Sequence, residues 1–205
     1  MSQIIKESIE NSINYSHYSR LMQKLVSNNY STGAEVTEAN INYTMLNERR
    51  MKRWDKKLVI SDQQQHIISE LDIKVIWLVI TESWCGDAAH VIPVMNKVAE
   101  LNSNIDLRIV LRDDNDELMN RFLTNGGKSI PKLIMLDAES FEVISTYGPR
   151  PSAVTALVED YKKEHGMLSS EFKEDLQRWY NKDKGKTAVA DLIKLLEKQT
   201  TSFSV

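Results

Sequence analysis

The run Lys74–Ile80 (KVIWLVI) constrains this chain more than any other stretch. It does not alternate between apolar and polar residues, so it does not read as a half-exposed strand. Nor does it approach the roughly 18 apolar residues a membrane helix needs, and no longer apolar run exists elsewhere in the sequence. A strand buried on both faces has this pattern. Such strands belong to sheets that helices cover on each side.

The residues around the run carry the same implication. A helical pattern follows through Val91, Val94, Met95, Val98 and Leu101, and Ile105–Leu111 (IDLRIVL) reads as a second strand. Asp113 and Asp114 are expected to cap a helix carrying Leu118, Met119, Phe122 and Leu123, with Asn125–Gly127 ending it. Lys132–Leu136 and Phe141–Thr146 read as a third and a fourth strand, close enough to form a hairpin. Pro151 opens a helix through Val154, Leu157, Val158 and Tyr161. Strand, helix, strand, helix, strand, strand, helix makes a mixed sheet between helices.

The flanks read as helical. Ile4, Ile5, Ile9 and Ile13, then Leu21, Met22, Leu25 and Val26, recur at helical spacing. After a break at residues 28–33, a helix carries Ile41, Met45, Leu46 and Met51, and another starts at Ser61 or Asp62. Leu168, Phe172, Leu176 and Trp179, then Val189, Leu192, Ile193, Leu195 and Leu196, form two more stripes. The expected organisation is a helical N-terminal extension over residues 1–73, an α/β domain over 74–166 and a helical C-terminal extension over 167–205.

Charge narrows the partners. There are 26 Lys plus Arg against 29 Asp plus Glu, a net charge of −3, which removes the electrostatic case for broad nucleic-acid binding. The N-terminal MSQIIKESIE lacks a basic region followed by an apolar stretch, so a cytoplasmic protein with no membrane association is expected. The single cysteine, Cys85, agrees, because one thiol cannot form an internal disulfide. Any disulfide must be made with another molecule.

The chemistry concentrates at that thiol. Cys85 follows the buried strand and opens a helix, where unpaired N–H groups and the helix dipole favour thiolate over thiol. Gly86 lets a partner approach the sulfur, and Trp84 can cover one side of it. Trp84-Cys85-Gly86-Asp87-Ala88 resembles the thioredoxin active-site sequence Trp-Cys-Gly-Pro-Cys. Pro93 stands where thioredoxins kink the active-site helix, Ser129-Ile130-Pro131 is similar to the family's cis-proline loop, and Gly148 matches a glycine beside the active site. The likeness covers about residues 73–166. It implies a thioredoxin-like mixed-sheet sandwich, as in extended bacterial members of the family with a Trp-Cys-Gly-Asp motif.

The departures from that pattern define the expected activity. Ala88 replaces the second cysteine, so the chain cannot release a mixed disulfide by itself. Val79 stands where the family usually holds a buried Asp. Asp87 replaces the usual proline, and its charge opposes that of a thiolate. The resemblance implies a monothiol exchanger with Cys85 as nucleophile, resolved by an external thiol. Trp84, Gly86, Asp87, Ile130 and Pro131 would bind the substrate, a protein or low-molecular-weight thiol or disulfide, and no cofactor is implied. An alternative is a redox-inactive binding module that takes extended peptide at the Ile130-Pro131 edge. A third is a helper whose helical flanks enclose the site.

Other candidates have plainer readings. His90 lies off the Cys85 face of its helix and reads as a surface or half-packed histidine, and His17, His66 and His165 have no metal-ligand spacing. Asp113, Asp114 and Asp116 read as caps rather than a cation loop. Glu48–Lys57 (ERRMKRWDKK) reads as a solvated face with Glu48 and Lys52 paired at i,i+4. Tyr15, Tyr18, Tyr30 and Tyr43 are expected to pack the N-terminal helices onto the sheet, and Phe172, Trp179 and Tyr180 to do the same at the other end.

Overall fold

A computed structural model describes residues 2–200 of the chain. The last five residues assigned to the C-terminal helical zone, 201–205, lie outside the described part.

The apolar run forms β1 (Val75–Thr81), and every residue of it is buried. It lies between β2 (Ile105–Leu111), which is parallel to it, and β3 (Lys132–Asp137), which is antiparallel. The fourth strand, β4 (Val143–Tyr147), pairs antiparallel with β3 through an irregularity at Met135/Leu136, giving the order β2-β1-β3-β4. The hairpin turn is held by Asp137 Oδ1, which accepts from the Ser140 backbone N–H at 2.7 Å.

Nine helices surround the sheet among the described residues: α1 (Ser2–Glu10), α2 (Tyr15–Ser27), α3 (Glu38–Lys57), α4 (Asp62–Glu70), α5 (Gly86–Ala99), α6 (Asp116–Arg121), α7 (Ser152–His165), α8 (Ser170–Asp183) and α9 (Lys186–Thr200). Four N-termini are capped by the residue types that satisfy orphan N–H groups: Asn14 for α2, Thr37 for α3, Ser61, in a capping box with Gln64, for α4, and Ser169 for α8. α5 is apolar on almost all sides, because α3 and α9 pack against it as well as β2. The core is thus shared between the sheet and both flanking zones.

Several expectations need correcting. Ile13, at the end of the first apolar stripe, is not helical. It bridges β2 at Ile109, with N–H···O distances of 2.9 and 2.8 Å in the two directions, and so pairs the outer edge of that strand. Asp113 and Asp114 do not cap α6, whose N-cap is Asn115 without a side-chain bond. Asp113 instead accepts the Ala34 N–H at 2.8 Å and pairs with Arg112 at 2.8 Å, which ties the loop after α2 to the end of β2. α6 ends at Arg121, and Asn125 and Gly126 form a separate turn with positive φ, closed by Thr124 and Gly127. Tyr18 is buried, but Tyr30 and Tyr43 are 53% and 52% exposed and do not pack the helices down.

Gly148, just beyond β4, has φ +101, and a Cβ there would stand 2.3 Å from the Pro131 carbonyl oxygen. Only glycine lets these two loops touch.

Candidate functional site

Cys85 is the N-cap of α5, in extended conformation after β1 and two turn residues. Its thiol donates to the Ile130 carbonyl oxygen at 3.3 Å, so the sulfur and the Ile130–Pro131 loop meet. The Ile130–Pro131 peptide bond is cis, as is Gly148–Pro149.

The sulfur is not uncovered. Cys85 is 9% exposed, and burial pushes its thiol from an ordinary 9.0 up to about 12. The Asp87 carboxylate pushes in the same direction. The backbone N–H groups of Ala88 and Asp87 and the Arg150 guanidinium pull the other way and lose. Near neutral pH the resting group is therefore a thiol, consistent with its role as hydrogen-bond donor.

Asp87 carries the next layer. Its Oδ2 pairs with Arg150 Nη2 at 2.8 Å, and its Oδ1 accepts from the Tyr180 hydroxyl at 2.9 Å. Burial raises its pKa against the pull of both partners. Its side chain is only 12% exposed, so it faces protein groups rather than the solvent side of the site.

His90, one turn further along α5, is buried rather than superficial. Its Nδ1 accepts from Trp54 Nε1 at 2.8 Å, its Nε2 lies 2.8 Å from Gln177 Oε1, and its ring stacks on Tyr180 at 4.3 Å. Indole can only donate, so Nδ1 is bare and Nε2 carries the proton. Burial lowers the His90 pKa to about 3. The basic stretch on α3 is accordingly only partly a solvated face. Glu48 does pair with Lys52, but Glu48 and Trp54 are buried and Arg50 is half-buried against Gly86.

The other wall of the site is the loop after α2. Thr32 Oγ1 accepts from the Ser83 N–H at 2.8 Å and bonds Glu82, while the Thr32 N–H donates to Ser83 Oγ at 3.0 Å. Glu82 is fully buried, and burial raises its pKa. Asn47 on α3 donates to the Ser83 carbonyl at 2.9 Å. Trp84 lies half-buried under Gly33, with Arg112 stacked 5.0 Å from its ring. Gly86 lies between Arg50 and Gln177, whose side-chain nitrogens would touch a Cβ placed there.

The structure thus brings Trp84, Cys85, Gly86, Asp87, Ile130 and Pro131 into one region and adds Arg50, Glu82, Arg150, Gln177 and Tyr180. A cleft of about 500 Å³ along β4, α7 and α9 touches Arg150 and Gly148 but not the sulfur. No cluster of metal-ligating side chains exists among the described residues.

A family model described as thioredoxin matches residues 33–162. The chain belongs to the thioredoxin family. No curated protein matches it in sequence. The crystal structure of a Pseudomonas aeruginosa protein of unknown function, PA1234, superposes with a TM-score of 0.65 at 18% identity, over 95% of this chain and 97% of that one. An HIV epitope-scaffold superposes at 0.57 and 18% identity, over 91% and 99% of the two chains. At these identities the two likenesses speak for the fold alone. They run through both helical flanks, so this thioredoxin-like fold with helical additions is an architecture shared with those proteins. No described helix is long and apolar enough to cross a membrane.

Proposed function

We propose that this thioredoxin-fold protein is a monothiol exchanger acting through Cys85. The Cys85 thiolate attacks one sulfur of a disulfide. The S–S bond breaks, Cys85 is left in a mixed disulfide, and the departing thiolate takes up the proton Cys85 lost. A second, external thiol then attacks the mixed disulfide, restores the Cys85 thiol and leaves with the bound half. The observation that carries this reading is the 3.3 Å contact between Sγ and the Ile130 carbonyl, which sets the nucleophile against backbone able to receive a substrate. The N–H groups of Asp87 and Ala88, which favour the anion, support it. A lone thiol suits a reducing, cytoplasmic compartment.

Burial of the thiol favours a second reading, a redox-inactive module that binds extended peptide beside Ile130 and Pro131. With the thiol at about 12, roughly one molecule in 30,000 carries a thiolate at pH 7.5, against about one in thirty for an ordinary thiol at 9.0. The higher nucleophilicity of a more basic sulfur recovers part of this, leaving attack slower by on the order of 100-fold. The test is the rate of mixed-disulfide formation with hydroxyethyl disulfide, followed by intact mass, with Cys85→Ser as control. An exchanger gives a rate that rises in proportion to disulfide concentration and an adduct that dithiothreitol removes. A rate that levels off at the rate of global unfolding supports the binding module instead.

A further inference from the structure

Hydrogen-bond donors from two helices converge beside the thiol, over the backbone of Gly86. We propose that Arg50 and Gln177 form a carboxylate-binding subsite next to Cys85, and that the disulfide exchanged there is a small one with a carboxylate near its sulfur. The substrate role rests on the exchange reading above, whereas the subsite is testable without it.

Arg50 lies on α3, half-buried, with Nη1 3.6 Å from where a Cβ on Gly86 would stand. Nη1 donates to Asn47 Oδ1 at 2.9 Å, a neutral amide. Among the described residues no carboxylate lies within ion-pair distance of it. Burial disfavours its charge, and Arg53 adds to that while Asp87 and Tyr43 oppose it. Asp87 acts on it only at a distance, since the bonds of its two oxygens go to Arg150 and Tyr180. Arg53 is likewise bonded to an amide oxygen, that of Asn181. A guanidinium partly removed from water and bonded directly only to a neutral amide gains a charge-assisted bond from an anion.

Gln177 has its amide orientation fixed by the histidine. His90 Nε2 carries the proton, so Gln177 must present Oε1 to it and turn its NH2 away. That NH2 lies 3.7 Å from the same point over Gly86. Gly86 has no side chain to fill the space. Tyr43, two turns before Arg50 on the same helix, is exposed and near enough to Arg50 to favour its charge.

Scale selects a small substrate. Cys85 is hemmed in, and Gly86 is its neighbour, with Cα atoms about 3.8 Å apart. A sulfur at Cys85 and an anion at Arg50 therefore belong to one compact molecule. The exchange balances as written above, with the disulfide as the oxidant that receives the electron pair.

Two measurements separate the subsite from the exchange. In the Cys85→Ser protein, adipate, which has methylenes in place of a disulfide, is titrated against its neutral diamide by NMR. Saturable shifts near Gly86 with adipate, absent with the diamide and weakened about tenfold by Arg50→Gln but less by Arg50→Lys, are expected. Absence of saturable binding, or equal binding to wild-type and Arg50→Gln proteins, overturns the subsite. In the full-length thiol protein, adduct rates with dithiodiglycolate, hydroxyethyl disulfide and cystamine are each divided by the rate with a small model thiol. The anionic-to-neutral ratio should exceed one and fall about tenfold in Arg50→Gln. A ratio unmoved by that change overturns the assignment of substrate class. No adduct with any of the three, alongside adipate binding, leaves the anion site standing and overturns both the exchange reading and the substrate built on it.

Discussion

Between pH 7.5 and 5.0, acid should weaken this protein chiefly through His90. Its pKa falls from 6.5 in the unfolded chain to about 3 in the folded one, chiefly by burial, with Arg50 and Arg53 adding to the effect and the Gln177 bond opposing it. Below pH 6.5 the unfolded state therefore binds the extra proton, so stability falls as pH falls, until the folded histidine titrates near 3. Between pH 7.5 and 5.0 the loss from this group is about 2 kcal/mol, and by pH 4 about 3 kcal/mol. Asp55, Glu82 and Asp87 work in the opposite direction, because burial raises their pKa values and folding then favours their protonated forms. The raw acid profile is thus a sum of opposing contributions, and a paired variant is needed to isolate His90. Gln is the replacement of choice: its Oε1 can accept from Trp54 and its NH2 can donate to Gln177, and it does not titrate. Urea unfolding of both proteins at pH 7.5, 6.5 and 5.0, followed by tryptophan fluorescence, gives the comparison. The wild type should lose about 2 kcal/mol more than His90→Gln over that range. Parallel losses, within about 0.5 kcal/mol, would refute the neutral buried histidine and the amide orientation deduced from it.

Other substitutions probe the same region. Gly148→Ala should destabilise by more than about 2 kcal/mol in urea unfolding, since it adds positive-φ strain to a clash with the Pro131 carbonyl. Asp87→Asn should do two things at once. It removes the negative charge opposing the Cys85 thiolate, so the pH midpoint of alkylation moves below about 12. It also leaves Arg150 without its carboxylate, at a cost of about 3 kcal/mol in the same unfolding assay. Thr32→Val strips the partners of a buried Ser83 N–H and of Glu82, and should cost about 2 kcal/mol while speeding hydrogen exchange at Ser83.

What the sequence made legible is local. Six consecutive apolar residues, Val75–Ile80, mark the central strand, and Ile105–Leu111 coincides with β2, because burial on both faces leaves a contiguous signature. Trp84-Cys85-Gly86 followed by Ile130-Pro131 pointed to one region because the loops after β1 and before β3 end at the same edge of adjacent strands. The remaining site residues had no such signature. Gln177 and Tyr180 sit on α8, some ninety residues from their partners His90 and Asp87, in a helix that otherwise reads as an ordinary amphipathic one. Arg50 was hidden in a basic stretch whose bulk composition resembles any solvated helix, and Arg150 in a proline-flanked turn. Asp113 looked like a cap because capping and tertiary pairing use the same residue types.

The sign of the thiol's perturbation follows from comparing magnitudes that sequence alone does not supply. A charge at a helix terminus is worth about 0.3–1 kcal/mol, under one unit of pKa at 1.36 kcal/mol per unit. Moving Cys85 from 9.0 to about 12 corresponds to about 4 kcal/mol in the other direction. The excess comes from desolvation, and Tyr18 of α2 and Tyr180 of α8 stand near enough to interact with the thiol. α3 grips the Ser83 carbonyl through Asn47, the 31–34 loop clamps Glu82 and Trp84, and α8 binds Asp87 through Tyr180. A thiol at an open helix N-terminus is activated, and the same thiol when buried is held protonated. Burial, rather than the Trp-Cys-Gly motif, therefore sets the ionisation of this cysteine at rest.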